Sequence, residues 1–324
     1  MTSSVPPSSQ RSGTPLPPSN LPSKPTHETQ SMSNQVFFAY TPPKPALSVT
    51  RSLTTPHASK DTPSNLTLRL VGSHPLWAHH LWNASKILSA YLDEHKDLCR
   101  GKTVLELGAG AALPSLVAAA NGANKVESCG AFSPPSPCLS DLGKSFTDAV
   151  CCSIVPVVIT DYPDKELIDN IEHNAKVNLP DTYASGRIAV QGYVWGTNTA
   201  HLLSALPPTT QTFDLIILSD LVFNHSQHHA MLRTCRSVLT PCTGSVLVFY
   251  THHRPLLAEK DLKFFDIAIL PEIAEMSDPN DPFGRGYGFC RDKILEMKAG
   301  VMFAEDPGDE DVRATVHGWK LWLE

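Results

Sequence analysis

Between Val104 and Pro114 the chain reads V-L-E-L-G-A-G-A-A-L-P. A short apolar run, two glycines and a further apolar stretch at helical spacing describe a buried parallel strand turning sharply into a helix. Gly108 and Gly110 allow backbone angles and a close ligand approach that a Cβ forbids. The amides behind them open a helix whose N-terminus suits a polar or anionic group. Glu106 stands inside the apolar run, where an unpaired carboxylate is costly, so it points to a cationic or multiply hydrogen-bonding partner. A dinucleotide site asks for G-x-G-x-x-G. Here Gly110 is followed by Ala111, Ala112 and Leu113, so the third glycine is missing. A tight turn with no ligand is the plainer alternative.

At 324 residues the chain suits one α/β domain with tails. A net charge of -6 gives no electrostatic footprint for a phosphate backbone, which argues against nucleic acid as partner. No apolar run reaches the ~18 residues that span a bilayer, so no membrane role is expected. The 8 cysteines form no C-x-x-C pair and follow no secretory leader, which predicts reduced thiols and a cytoplasmic location. Residues 1–63 are rich in Ser, Pro and Thr and cannot bury enough apolar surface to order themselves. They read as a disordered tail before a domain spanning 64–324.

Within that domain, Leu66 to Val71 alternates as a strand does. Leu81, Ala84, Leu88 and Leu92 then predict a helix over 76–94, with Trp77 and Trp82 near its start. The helix after the glycines stops at Asn121-Gly122. Residues 127–156 are rich in Ser, Pro and Cys and read as a surface insertion, the form an unremoved intron takes. Val157 to Asp161 is the next strand. An acidic residue about 20 positions past the glycines grips ribose hydroxyls in nucleotide-binding units, and Asp161 arrives roughly thirty residues late, as the insertion explains. Pro163 and Asp164 favour a following helix's first turn, and Asn170 and Asn174 read as polar surface. Trp195 ends the strand from Ile188 at a position that covers an adenine or closes the core.

Phe213 to Val222 is a nearly continuous apolar strand, hence central, and Ser219 and Asp220 sit at its carboxyl edge, where ligands of open α/β sheets bind. His225, His228 and His229 recur at a spacing metals use, but without a cysteine motif or carboxylate pair they read as exposed or capping residues. No metal is expected. The strand Gly244 to Tyr250 leads into Thr251 to Pro255 at the ligand edge, and a helix follows with Leu262, Phe264 and Phe265 inward. Residues 269–286 read as a second insertion. Two last strands flank an acidic loop, Asp306 to Asp311, a solvated face or an attractor of basic peptide.

Together L-V-G-S-x-P-L-W-x-H-x-L-W-N-A, V-L-E-L-G-A-G-A-A-L-P, T-D-Y-P-D, L-S-D-L-V-F-N-H and D-P-G-D-E give the chain a specific resemblance. It resembles the fungal protein N-terminal and lysine methyltransferases of translation elongation factor 1-alpha, lysine methyltransferase-like members of the seven-strand class. The resemblance covers about 64–324 apart from the insertions; similar proteins have also carried the label nicotinamide N-methyltransferase. It implies an α/β, Rossmann-like seven-stranded class I methyltransferase sheet with helices on both faces. It implies S-adenosyl-L-methionine as cofactor, held by Trp82, Gly108, Ala109, Gly110, Asp161, Trp195 and Ser219, with Glu106 beside them. It makes Trp82 the binding tryptophan and Trp77 the packing one. The implied partner is elongation factor 1-alpha, methylated by a monomer at its N-terminal glycine amine and adjacent lysine. The amine must be neutral to attack, and α-amines titrate near 7.7–8.0 against about 10.4 for lysine. Asp220 and Tyr250 are the candidates for orienting it, Asp220 having a helix cap as its alternative role. A small-amine methyltransferase and a non-catalytic binder inactivated by the insertion are the rival readings.

Overall fold

The computed structural model describes residues 47–50, 63–122, 156–271 and 286–324. Strands β1 (Leu47–Thr50) and β2 (Asn65–Leu68) form an antiparallel pair, so one strand stands within the span expected as tail. The rest of that tail lies outside the described residues, as do 127–155 and 272–285 of the two expected insertions.

Helix α1 (Asn83–Glu94) precedes β3 (Val104–Leu107), α2 (Leu113–Ala120) and β4 (Val157–Asp161). Then come α3 (Lys165–Asn178), α4 (Pro180–Ala184), β5 (Ile188–Gly192), α5 (Ala200–Leu203), β6 (Leu215–Ser219) and α6 (His228–Val238). The chain closes with β7 (Ser245–Thr251), α7 (Ala258–Ile269), β8 (Cys290–Lys298), α8 (Glu310–Ala314) and β9 (Thr315–Trp322). Seven strands form one sheet in the order β5-β4-β3-β6-β7-β9-β8. The five from β5 to β7 are parallel, and β9 is antiparallel to both β7 and β8. Strand order reverses beside β3, which opens a ligand crevice at the carboxyl ends of β3 and β6.

Alternation along each strand divides the core between two faces. Val104, Ile159, Ile217 and Phe249 pack with Leu88 and Leu92 of α1, Leu116 of α2 and Ile171 of α3. Leu105, Val158, Ile216 and Val248 pack on the other face with Leu202 of α5, Leu232 of α6 and Phe264 of α7. Helices therefore cover both faces, as parallel strands require.

Four details depart from the sequence reading. The first helix begins at Asn83 rather than near residue 76, because Trp77 and His80 close turns onto His74 and Trp77 and the Trp77 backbone is left-handed (φ 61°). Asp164 is the N-cap of α3, accepting the amides of Glu166 and Leu167, and not a residue of its first turn. Asn170 and Asn174 are buried, because both bond the Arg69 backbone carbonyl while Asn174 also takes the Arg69 amide and reaches the Ala111 carbonyl. Leu262 is 39% exposed, leaving Phe264 and Phe265 as the inward residues of α7.

Candidate active site

The turn after β3 is built from its glycines. Gly108 has φ 62°, and a Cβ there meets Leu221 Cδ2 at 2.8 Å and Trp195 Cζ2 at 3.0 Å. No side chain fits, which is why the turn needs glycine. Gly110 (φ 55°) faces open space. Its amide donates to Asp161 Oδ2 at 2.8 Å, while the Tyr162 amide donates to Oδ1 at 2.7 Å. Burial pushes the Asp161 pKa up, and the two amides work against that rise. The register Val104↔Val157 through Glu106↔Ile159 brings Asp161 to the turn whatever the intervening length.

A cavity of about 560 Å³ opens there, within the range of small-molecule sites. Trp82, Gly108, Ala109, Gly110, Asp161, Trp195, Ser219 and Asp220 all line it. Two expected site residues do not. Glu106 is buried and its Oε2 accepts the Ser115 amide at 3.1 Å, so its partner is the N-terminus of α2 rather than a ligand. Burial raises its pKa to about 8, with the Ser115 amide opposing and Asp161 adding to the rise. Tyr250 points to the opposite side of β7, its ring 5.1 Å from His252 and 5.5 Å from Phe265 and from His317. Both faces of that strand are buried, and alternation assigns Tyr250 to the core. Burial pushes its phenol pKa well up, away from any role as a base.

Trp77 also departs from expectation. It is 46% exposed and lines the cavity instead of packing the core. A smaller chamber of about 120 Å³ shares Trp77, Trp82, Phe223 and Arg254 with the first and adds His225, His253, Asp261, Phe303 and Asp306. Asp220 sits at φ 58° between the two spaces, its Oδ2 2.9 Å from His253 Nε2 and its Oδ1 accepting the Thr251 amide at 3.3 Å. It ties the end of β7 and does not cap a helix. Burial disfavours the charged form of His253, but Asp220, through charge and hydrogen bond, outweighs it and leaves the pKa raised. The histidines of the α6 region turn to separate partners: His225 to Asp261 (2.6 Å), His228 to the Val222 carbonyl (2.7 Å) and His229 to the Tyr287 hydroxyl (3.1 Å). Asp306 is the first residue of the acidic loop that the sequence offered as an attractor of basic peptide, whereas Phe303, in the same irregular segment between β8 and α8, carried no sequence signal.

The strand order, the glycine turn and the acidic residue at the end of β4 define a Rossmann-like class I methyltransferase. A family model described as lysine methyltransferase matches residues 143–269. The chain is 42% identical over 291 residues to a protein N-terminal and lysine N-methyltransferase EFM7 of Cryptococcus neoformans, covering 82% of each. It is 42% identical over 265 residues to efm7 of Schizosaccharomyces pombe, covering 81% of this chain and 84% of that one. Among solved structures it is similar to a precorrin-6y C5,15-methyltransferase of Geobacter metallireducens, at 10% identity, 73% and 88% coverage and a TM-score of 0.39. The chain belongs to the family of protein N-terminal and lysine N-methyltransferases.

Such enzymes take their methyl group from S-adenosyl-L-methionine, and the larger cavity suits it. Gly110 leaves open space, Asp161 presents a carboxylate, and Ser219 Oγ is buried with no hydrogen-bond partner among the described residues. A sulfonium nucleoside brings the hydroxyls and ring atoms that such groups bind. Among the described residues no helix is long and apolar enough to cross a membrane.

Proposed function

We propose that the protein methylates the N-terminal glycine amine and the adjacent lysine of translation elongation factor 1-alpha, acting as a monomer in the cytoplasm. In this reading Asp161 takes the ribose hydroxyls of the donor, and the Gly108-Ala109-Gly110 turn lies along its amino-acid part. Trp82 and Trp195 flank the nucleoside, Ser219 contributes a hydrogen bond, and Asp220 stands near the reacting centre. Bound S-adenosyl-L-methionine supplies an electrophilic methyl on a sulfonium, and positioning supplies much of the acceleration.

The observation that carries the substrate class is the second chamber, walled by aromatic rings and holding Asp261 and Asp306, opening beside the donor cavity. Such a surface suits a cationic amine on a flexible chain end. The test is transfer of radiolabelled methyl to elongation factor 1-alpha, to its form with a blocked N-terminus, and to nicotinamide. Label in the intact factor, reduced when the terminus is blocked, is expected. Label in nicotinamide alone overturns the reading in favour of a small-amine enzyme.

A further inference from the structure

We propose that His253 takes the proton from the acceptor ammonium in the smaller chamber, with Asp220 as the residue that positions it. The proposal rests on the methyltransferase reading above and names the base that reading lacks.

Asp220 Oδ2 lies 2.9 Å from His253 Nε2. An ionised carboxylate only accepts, so the ring hydrogen of neutral His253 is assigned to Nε2 and the lone pair to Nδ1. The carboxylate cannot swing away, because its other oxygen holds the Thr251 amide and its backbone is fixed in a left-handed conformation. Asp220 lines the donor cavity and His253 the smaller chamber, so the pair straddles the place where donor and acceptor meet. The His253 ring stands edge-on to Trp82, 4.9 Å between centroids, and Trp82 lines both spaces. His225 is the competing candidate, but its partner Asp261 also binds His252 at 2.7 Å and does not reach the donor cavity.

The step balances simply. The ammonium gives one proton to His253 Nδ1, and the freed lone pair forms the nitrogen–carbon bond to the methyl group. The carbon–sulfur bond breaks with its electrons going to sulfur, leaving S-adenosylhomocysteine and a methylated ammonium. His253 then returns its proton to water. The charged groups bearing on His253 are Asp220 from the end of β6, Asp261 from α7, Asp306 from the β8–α8 connection, and Arg254 and His225 in the same chamber. Burial disfavours its charged form, but the three carboxylates, Asp220 foremost, outweigh it and leave His253 titrating above its ordinary value, which is where a base working near neutral pH is effective.

The experiment measures kcat and KM for a peptide beginning Gly-Lys from about pH 6 to about pH 9.5. Wild type is expected to lose rate on the acid side as His253 protonates. His253→Gln should lower kcat about 100-fold and leave only the titration of the peptide amine, with donor affinity by calorimetry unchanged. Asp220→Asn should move the acid limb down, and NMR titration of the His253 imidazole should move with it even without turnover. An unchanged profile in His253→Gln, or loss of the limb in His225→Gln instead, overturns the proposal. Failure of the wild type to methylate the peptide while binding the donor sinks the substrate reading, a separate result.

Discussion

Glu106 is the residue whose chemistry changes most between sequence and structure. Among the described residues no cation stands beside it, and burial raises its pKa to about 8, so the protonated form predominates in the folded protein at pH 7. In the unfolded chain it titrates at the ordinary value of 4.5. Between those two values the unfolded state has released its proton and the folded state has kept it, so stability falls as pH rises through this window, by at most about 1.4 kcal/mol per unit. Urea unfolding of wild type between pH 5 and about pH 8 should show that decline, and Glu106→Gln, which mimics the protonated acid, should flatten it. A decline of equal slope in the variant assigns the effect to other groups. Asp161 differs in lining the larger cavity while two backbone amides hold its carboxylate. Asp161→Ala should weaken S-adenosyl-L-methionine binding about 10-fold or more, the loss of a charge-assisted hydrogen bond, read by calorimetry. Binding unchanged in that variant removes Asp161 from the donor site.

At the scale of elements, the glycine turn is held from behind by α3. Asn174 takes the Arg69 amide and gives to the Arg69 and Ala111 carbonyls, so one side chain joins the segment after β2 to the residue following Gly110. Asn174→Ala takes this partner from the Arg69 amide and the buried Ala111 carbonyl, while Asn170 still holds the Arg69 carbonyl, and should cost about 2 kcal/mol in denaturant unfolding, with donor affinity falling as the turn loosens. A loss under about 0.5 kcal/mol means the segment closes over the gap. This latch also shows where sequence reading reaches its limit. The apolar runs of β3, β4, β6 and β7 and the strand-end positions of Asp161, Ser219 and Asp220 were legible because burial on both faces leaves a continuous pattern. Asn170 and Asn174 were not, since their burial depends on a backbone segment more than a hundred residues away. Tyr250 shows the converse: when both faces of a strand are buried, composition does not say which one meets the ligand. Trp77 escaped because its left-handed backbone leaves no mark in side-chain spacing.

The whole molecule tolerates a long excursion between α2 and β4 because the sheet, not the connection, sets the site. β4 enters in register beside β3 at Val104↔Val157, and the Ala109 and Gly110 amides close onto Thr160 and Asp161. Asp161 lies 51 residues after Gly110, yet their atoms meet at 2.8 Å. Excising 127–156 leaves about 20 residues between them, the separation usual in a nucleotide-binding unit. Closure entropy grows only with the logarithm of loop length, so the longer connection costs the fold about 1–2 kcal/mol and no more. The excised chain is therefore expected to keep the wild-type circular dichroism spectrum, to melt at the same or a slightly higher temperature, and to bind S-adenosyl-L-methionine with at least wild-type affinity. Methyl transfer by the two forms, assayed side by side on elongation factor 1-alpha, separates the roles of sheet and excursion. Equal rates leave the excursion a bystander to a site the sheet builds. A faster excised form means the excursion obstructs that site, and loss of donor binding on excision overturns the claim that the sheet alone holds Asp161 at the glycine turn.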